Sequence, residues 1–261
     1  MLFAIDIGNS HTVCGVYDGT QLRAHWRIST QSSRTRDELR AMLSTLFLSE
    51  PNLQADHIDA AIIASVVPAM TQVYEQTATD LFNVNARIVG PGLKTGMPIR
   101  YEDPREVGAD RIVNAVAAYR KWQTGVIVVD FGTATTFDVV SLDGAYLGGV
   151  ICPGIKISSE ALFNRAAKLP KVAFNRPRSV IGRNTVSSIQ SGLVYGYVGL
   201  VEGLIARIKS ELDFDCKVIA TGGLAREVAA STNHIEEVDE MLTLEGLRVI
   251  HQLNTQQVEA S

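Results

Sequence analysis

Three cysteines, Cys14, Cys152 and Cys216, are too few and too far apart for a disulfide framework, and no C-x-x-C pair offers a zinc site. They read as small buried thiols in a reducing cytosol. The formal net charge is −4 and there is no long basic run, so neither a nucleic-acid binder nor a membrane-surface binder is expected. No apolar run approaches the ~20 residues that span a bilayer. No charged stretch followed by an apolar block opens the sequence, so no signal peptide is expected. Two nucleotide signatures are also missing. There is no G-x-x-x-x-G-K-[ST], which leaves a Walker-type NTPase unsupported, and no G-x-G-x-x-G between a strand and a helix, which leaves a dinucleotide fold unsupported.

What the chain does carry is ordinary globular composition, 46% hydrophobic and 20% charged over 261 residues. It also carries one motif twice. Val126-Ile127-Val128-Val129 reads as a buried strand running into Asp130-Phe131-Gly132-Thr133-Ala134-Thr135-Thr136-Phe137-Asp138. Leu2-Phe3-Ala4-Ile5 runs in the same way into Asp6-Ile7-Gly8-Asn9-Ser10-His11-Thr12-Val13. Glycine lets an anion approach the main chain, and hydroxyls and backbone N–H groups donate to phosphate oxygens. The acid cannot bind phosphate, but it can hold a cation or a water beside it. Matched acids at the ends of two buried strands are hard to explain by packing, because an unpaired buried carboxylate is costly.

The periodicity gives two similar mixed α/β halves. The first has strands at 2–7, 12–17 and 21–29, a helix at 33–48, a strand at 60–65, a helix at 69–81 and a strand at 86–89. A loop rich in Gly and Pro follows at 90–108, then a helix at 112–122. The second half has strands at 126–130, 134–141 and 145–151, a helix at 155–168, an irregular basic stretch at 169–184, a helix at 185–210, a strand at 217–221 and a closing helix at 244–253. Gln123-Thr124-Gly125 reads as the boundary between the halves. The lobes are placed at 1–117 and 118–261, with the closing helix able to pack back on the first. Glycines at 192, 196, 199 and 203 would let another helix approach 185–210 closely, as between subunits.

Asp6-Ile7-Gly8-Asn9-Ser10, Gly108-Ala109-Asp110-Arg111, Asp130-Phe131-Gly132-Thr133-Ala134-Thr135-Thr136, Gly148-Gly149 with Pro153-Gly154-Ile155, and Thr221-Gly222-Gly223 together resemble type III pantothenate kinases of the actin, hexokinase and heat-shock ATPase superfamily. The resemblance covers about residues 2 to 250. It implies two similar mixed-sheet lobes with the nucleotide cleft between them, and transfer of the γ-phosphoryl group of ATP to pantothenate, the entry step to coenzyme A. It implies Asp110 as the base. An ordinary carboxylate of pKa ~3.9 suffices for that role if the proton leaves late in a loose transition state.

The resemblance further implies that Tyr101, Gly108, Ala109, Asp110, Arg111 and Thr185 meet pantothenate, and that residues 6–13 with Thr133 grip ATP. Asp6 would face Mg²⁺ through water, and Asp130 would hold a monovalent cation, K⁺ or NH₄⁺. A cytoplasmic homodimer is implied as well. Arg111 suits the substrate carboxylate, since its planar fork binds one bidentately. His11 is a phosphate donor or a bystander. Two alternatives stay open: a kinase for another small hydroxy acid, and a regulator that uses the same fold as a switch.

Overall fold

The computed structural model describes residues 1–166 and 168–255. Contacts divide the chain into two units, Met1–Lys121 with the segment from Met241 onward, and Trp122–Glu240.

In the first unit, β1 (Leu2–Ile7), β2 (His11–Asp18) and β3 (Gln21–Ser29) form an antiparallel meander. Helix α1 (Arg36–Ser49) begins later than its apolar spacing predicts, because Thr35 and Glu38 form a capping box there. Strand β4 (Ala60–Ser65) pairs parallel with β1. Pro68, expected only to end that strand, also opens α2 (Pro68–Phe82), where its missing N–H costs nothing. Strand β5 (Ala86–Ile88) completes the sheet order β3-β2-β1-β4-β5. Phe3, Ile5 and Ile7 alternate onto one face, where Leu39, Leu43, Met70 and Tyr74 cover them. A single 3₁₀ turn at Pro104–Glu106 leads to α3 (Ala109–Trp122).

The second unit repeats the plan strand for strand. Strands β6 (Gly125–Phe131), β7 (Ala134–Val140) and β8 (Tyr146–Pro153) form a second antiparallel meander. Helices α4 (Ile155–Arg165) and α5 (Thr185–Glu211) come next. Strand β9 (Cys216–Gly222) lies parallel to β6, and helix α6 (Ala225–Ala229) leads to β10 (Glu237–Val238), parallel to β9. The order β10-β9-β6-β7-β8 is the first sheet's order read from the other end. Helix α6 and the two-residue β10 have too little periodic sequence to be predicted. Over 18 residues α5 has a mean hydropathy of 1.3, enough by length and composition for a membrane span, which counting unbroken apolar runs passes over. Its Tyr197, Val198, Val201 and Ile205 pack in the sheet's core cluster. All three cysteines are free thiols.

The chain closes with α7 (Leu242–Thr255), which lies on β1, β2 and β4 of the first unit. Gly246 of α7 meets the main chain of Val113 so closely that a Cβ would overlap it, and Thr243 Oγ1 donates to Asn114 Oδ1 at 2.7 Å. These contacts fix α3 against α7.

Candidate active site

The first hairpin turns at Gly8, Asn9 and Ser10. The Gly8 N–H donates to His11 O at 3.1 Å, and a Cβ on Gly8 would lie 3.0 Å from that oxygen, so the tight turn favours glycine. Asn9 and Ser10 are exposed, while Ile7 is buried and Val13 half-buried. Thr12 is buried and its hydroxyl bonds Thr30 Oγ1 at 2.9 Å; the Thr30 N–H donates to Ser10 O at 3.0 Å. The turn is thus braced from β3's side. Asp6 is half-buried on β1, directly opposite Val13.

The start of α3 belongs to the same end of this unit. The Val66 N–H, just past β4, donates to Ile7 O at 3.0 Å, and Gly108 lies beside Val66. A Cβ on Gly108 would sit 2.6 Å from Asp110 Oδ1, so a side chain there would displace this carboxylate. Asp110 is half-buried and its Oδ1 accepts the Arg111 N–H at 2.9 Å. Burial pushes the Asp110 carboxyl above the ordinary carboxylate range, against the downward pull of that N–H and the Arg111 charge. The sequence suggests an ordinary carboxylate; the fold makes it more basic. Arg111 is 8% exposed, far more enclosed than a surface arginine. Ala109 is half-buried beside it, and Tyr101 is exposed on the preceding loop. The structure therefore brings Gly108, Ala109, Asp110 and Arg111 to the end of the unit where the first hairpin turns.

In the second unit Asp130, the next-to-last residue of β6, lies in a glycine cradle. A Cβ on Gly222, whose φ is +92°, would collide with Asp130 Oδ1, and one on Gly132 would reach it at 3.5 Å. Glycine at both positions lets the main chain approach the Asp130 carboxylate closely. The Gly154 N–H donates to Thr133 O at 3.1 Å, and a Cβ there would overlap the Thr133 carbonyl, so the turn rests on the start of α4. Tyr197 of α5 secures that start, its hydroxyl donating to Pro153 O at 3.0 Å. The three threonines separate: Thr133 stays in the turn, while β-strand alternation sends Thr135 into the core and Thr136 to the opposite face.

Thr185 is exposed at the first turn of α5, which Asn184 and Ser187 cap reciprocally. It lines a groove of about 860 Å³ with Ser158, Leu162, Arg183 and Ser188. It belongs to the second unit, whereas Tyr101 and Gly108 to Arg111 belong to the first. Sequence reading assigned nothing to Asp138, Tyr146, Val66 or Tyr197. For Asp138 the signal was present as an acid between the apolar residues Phe137 and Val139 of a strand.

Two five-stranded sheets of one topology, each with an inner hairpin turning at Asp-x-Gly, define a protein of the actin-like ATPase fold shared with sugar kinases. The ROK hexokinase from Thermus thermophilus has this fold, with a TM-score of 0.52, 13% identity, and 98% of this chain and 99% of that one covered. So has the activator of the 2-hydroxyisocaproyl-CoA dehydratase from Clostridium difficile with bound ADPNP, with a TM-score of 0.55, 12% identity, and 99% and 97% covered. A family model described as type III pantothenate kinase matches residues 2–207. The chain is also 58% identical over 254 residues to the type III pantothenate kinase of Anaeromyxobacter sp. strain K, covering 97% of this chain and 100% of that protein. The chain belongs to the type III pantothenate kinase family.

Proposed function

We propose that this chain transfers a phosphoryl group from ATP, with Mg²⁺, to the primary hydroxyl of pantothenate, with Asp110 accepting the hydroxyl's proton. Family membership supports the kinase reaction, its place at the entry to coenzyme A, and the use of ATP and Mg²⁺. The observation that carries the assignment of the base is the Asp110–Arg111 pair. A half-buried carboxylate with a raised pKa follows a glycine whose missing side chain leaves it room, next to an enclosed guanidinium. Raising the basicity of a base increases its pull on a proton. Arg111 pairs with the pantothenate carboxylate, and Tyr101, Gly108, Ala109 and Thr185 complete the acceptor's contacts.

Residues 6–13 and Thr133 grip the phosphates through main-chain N–H groups and hydroxyls. Asp6 meets Mg²⁺ through water. Asp130, in its glycine cradle, holds a potassium or ammonium ion. The cations supply positive charge where the transferred group gathers negative charge. We read the protein as a cytoplasmic homodimer. The space over Gly192, Gly196 and Gly199 of α5 supports this reading, as do the exposed Val180, Ile181 and Val186 near its start.

Asp110→Asn tests the base. ADP release in the presence of pantothenate should fall by about 10²- to 10⁴-fold, while calorimetric binding of ATP and pantothenate persists. Turnover within a few-fold of the unaltered enzyme would overturn the assignment. ADP release that never depends on pantothenate would overturn the reaction itself.

A further inference from the structure

The two acid-bearing hairpins occupy equivalent places, so their flanks compare position by position. Asp6 pairs with Val13 on β2 and with Ala64 on β4. Asp130 pairs with Thr136 on β7 and with Thr221 on β9. Directly paired residues share a face of the sheet. Apolar side chains therefore flank the first acid, and hydroxyls flank the second. Two residues along β7, Asp138 is fully buried. Its Oδ2 accepts from Thr136 Oγ1 at 3.1 Å and its Oδ1 accepts from Tyr146 Oη at 2.8 Å. Counting two residues on from the position opposite each acid, the equivalent of Asp138 in the first unit is Gly15.

A carboxylate only accepts hydrogen bonds, and a threonine hydroxyl has one proton. That proton is committed to Asp138, so Thr136 turns lone pairs, not hydrogen, toward its cross-strand neighbour Asp130. Were Thr136 simply a structural partner of Asp130, it would donate to it. A carboxylate and a hydroxyl oxygen presented together are the donor set of a hard or large monovalent cation.

We propose that Thr136 Oγ1 is an oxygen ligand of the cation that Asp130 is proposed to hold. Asp138, braced by Tyr146, is the positioning residue that keeps this oxygen an acceptor. The inference rests on the reading of Asp130 as the cation's carboxylate. It adds two residues to that site and explains a buried acid that the phosphoryl-transfer chemistry leaves without a role.

The test uses the full-length enzyme with an ATP analogue and Mg²⁺ held constant. KCl replaces choline chloride at fixed ionic strength, and the thermal midpoint is followed as potassium binds the folded state. The same titration is repeated as half-activation of turnover. Asp138→Asn lets the amide donate to Thr136 and turns that hydroxyl's proton toward Asp130. Its potassium half-saturation should rise about 10- to 100-fold in both readouts, as for other residues that orient a metal ligand. Thr136→Val should show the same shift, and Thr136→Ser should restore it. This pair decides the matter if Asp138→Asn does not fold. Asp130→Asn should abolish the potassium-dependent rise in midpoint. If Asp130→Asn responds to potassium like the unaltered enzyme, the cation reading of Asp130 falls, and this proposal with it. If Asp130→Asn loses the response while Thr136→Val and Asp138→Asn keep it unchanged, only the roles of Thr136 and Asp138 fall.

Discussion

The hairpins at Asp6 and Asp130 share strand order, register and the Asp-x-Gly turn, yet their surroundings differ. The first is braced by main chain and the Thr12–Thr30 hydroxyl pair, and its acid lies between Val13 and Ala64. The second rests on three glycines, and its acid lies between two threonines, one of them tied to a buried carboxylate. A duplicated fold thus supplies two equivalent backbones. The cross-strand neighbours then differ: Val13 and Ala64 flank the first acid, and the hydroxyls of Thr221 and of Thr136, which we propose shares an ion with it, flank the second.

This contrast can be broken experimentally. The largest effect is expected from Asp6→Asn and Asp130→Asn. Each should lower kcat/KM on the order of 10²-fold, as when a charge is removed from beside a transferring group. Only the second should change the dependence on potassium over sodium. Equal potassium dependence in both variants would erase the distinction.

A smaller effect is expected from alanine at the supporting glycines. Gly222→Ala combines a φ of +92° with a collision against Asp130 Oδ1, and should cost about 1–3 kcal/mol in urea unfolding. Gly8→Ala meets only the His11 carbonyl at 3.0 Å and should cost about 1 kcal/mol or less. A reversed order would mean that the cradle around Asp130 is not tight.

The smallest effect concerns Asp110, the acid that neither hairpin carries. Burial raises its pKa above the ordinary 3.8. Between that value and the raised one, the folded state keeps a proton that the unfolded chain has lost, so stability falls as pH rises through this window. Asp110→Asn removes the penalty. Its thermal midpoint at pH 7 should exceed that of the unaltered enzyme by about a few degrees, and the gain should vanish below about pH 4. A variant less stable at pH 7 would mean that the ionised carboxyl is a net stabiliser.

Much of this was legible in the residues. Val126 to Val129 and Leu2 to Ile5 read as buried strands, and the glycine two residues past each acid read as the turn that follows. Thr35 with Glu38 and Pro68 marked helix starts that apolar spacing alone misplaced, by about three residues at the first and one at the second. Helix α6 and β10 were not legible, because five and two residues make no period. Nor was the separation of Thr133, Thr135 and Thr136, since it depends on where β7 begins.

By itself the sequence determined the duplicated strand–turn motif, the mixed α/β class and the Gly-Ala-Asp-Arg helix start, because these rest on local periodicity and on which residues tolerate a turn. Only the tertiary structure decided that Asp110 is made more basic, that Asp138 is buried beneath Thr136, and that Asp130 faces hydroxyls where Asp6 faces apolar groups. Burial and cross-strand register set those properties. Both are made by residues distant in the chain, such as Thr221 beside Asp130 and Val66 beside Gly108.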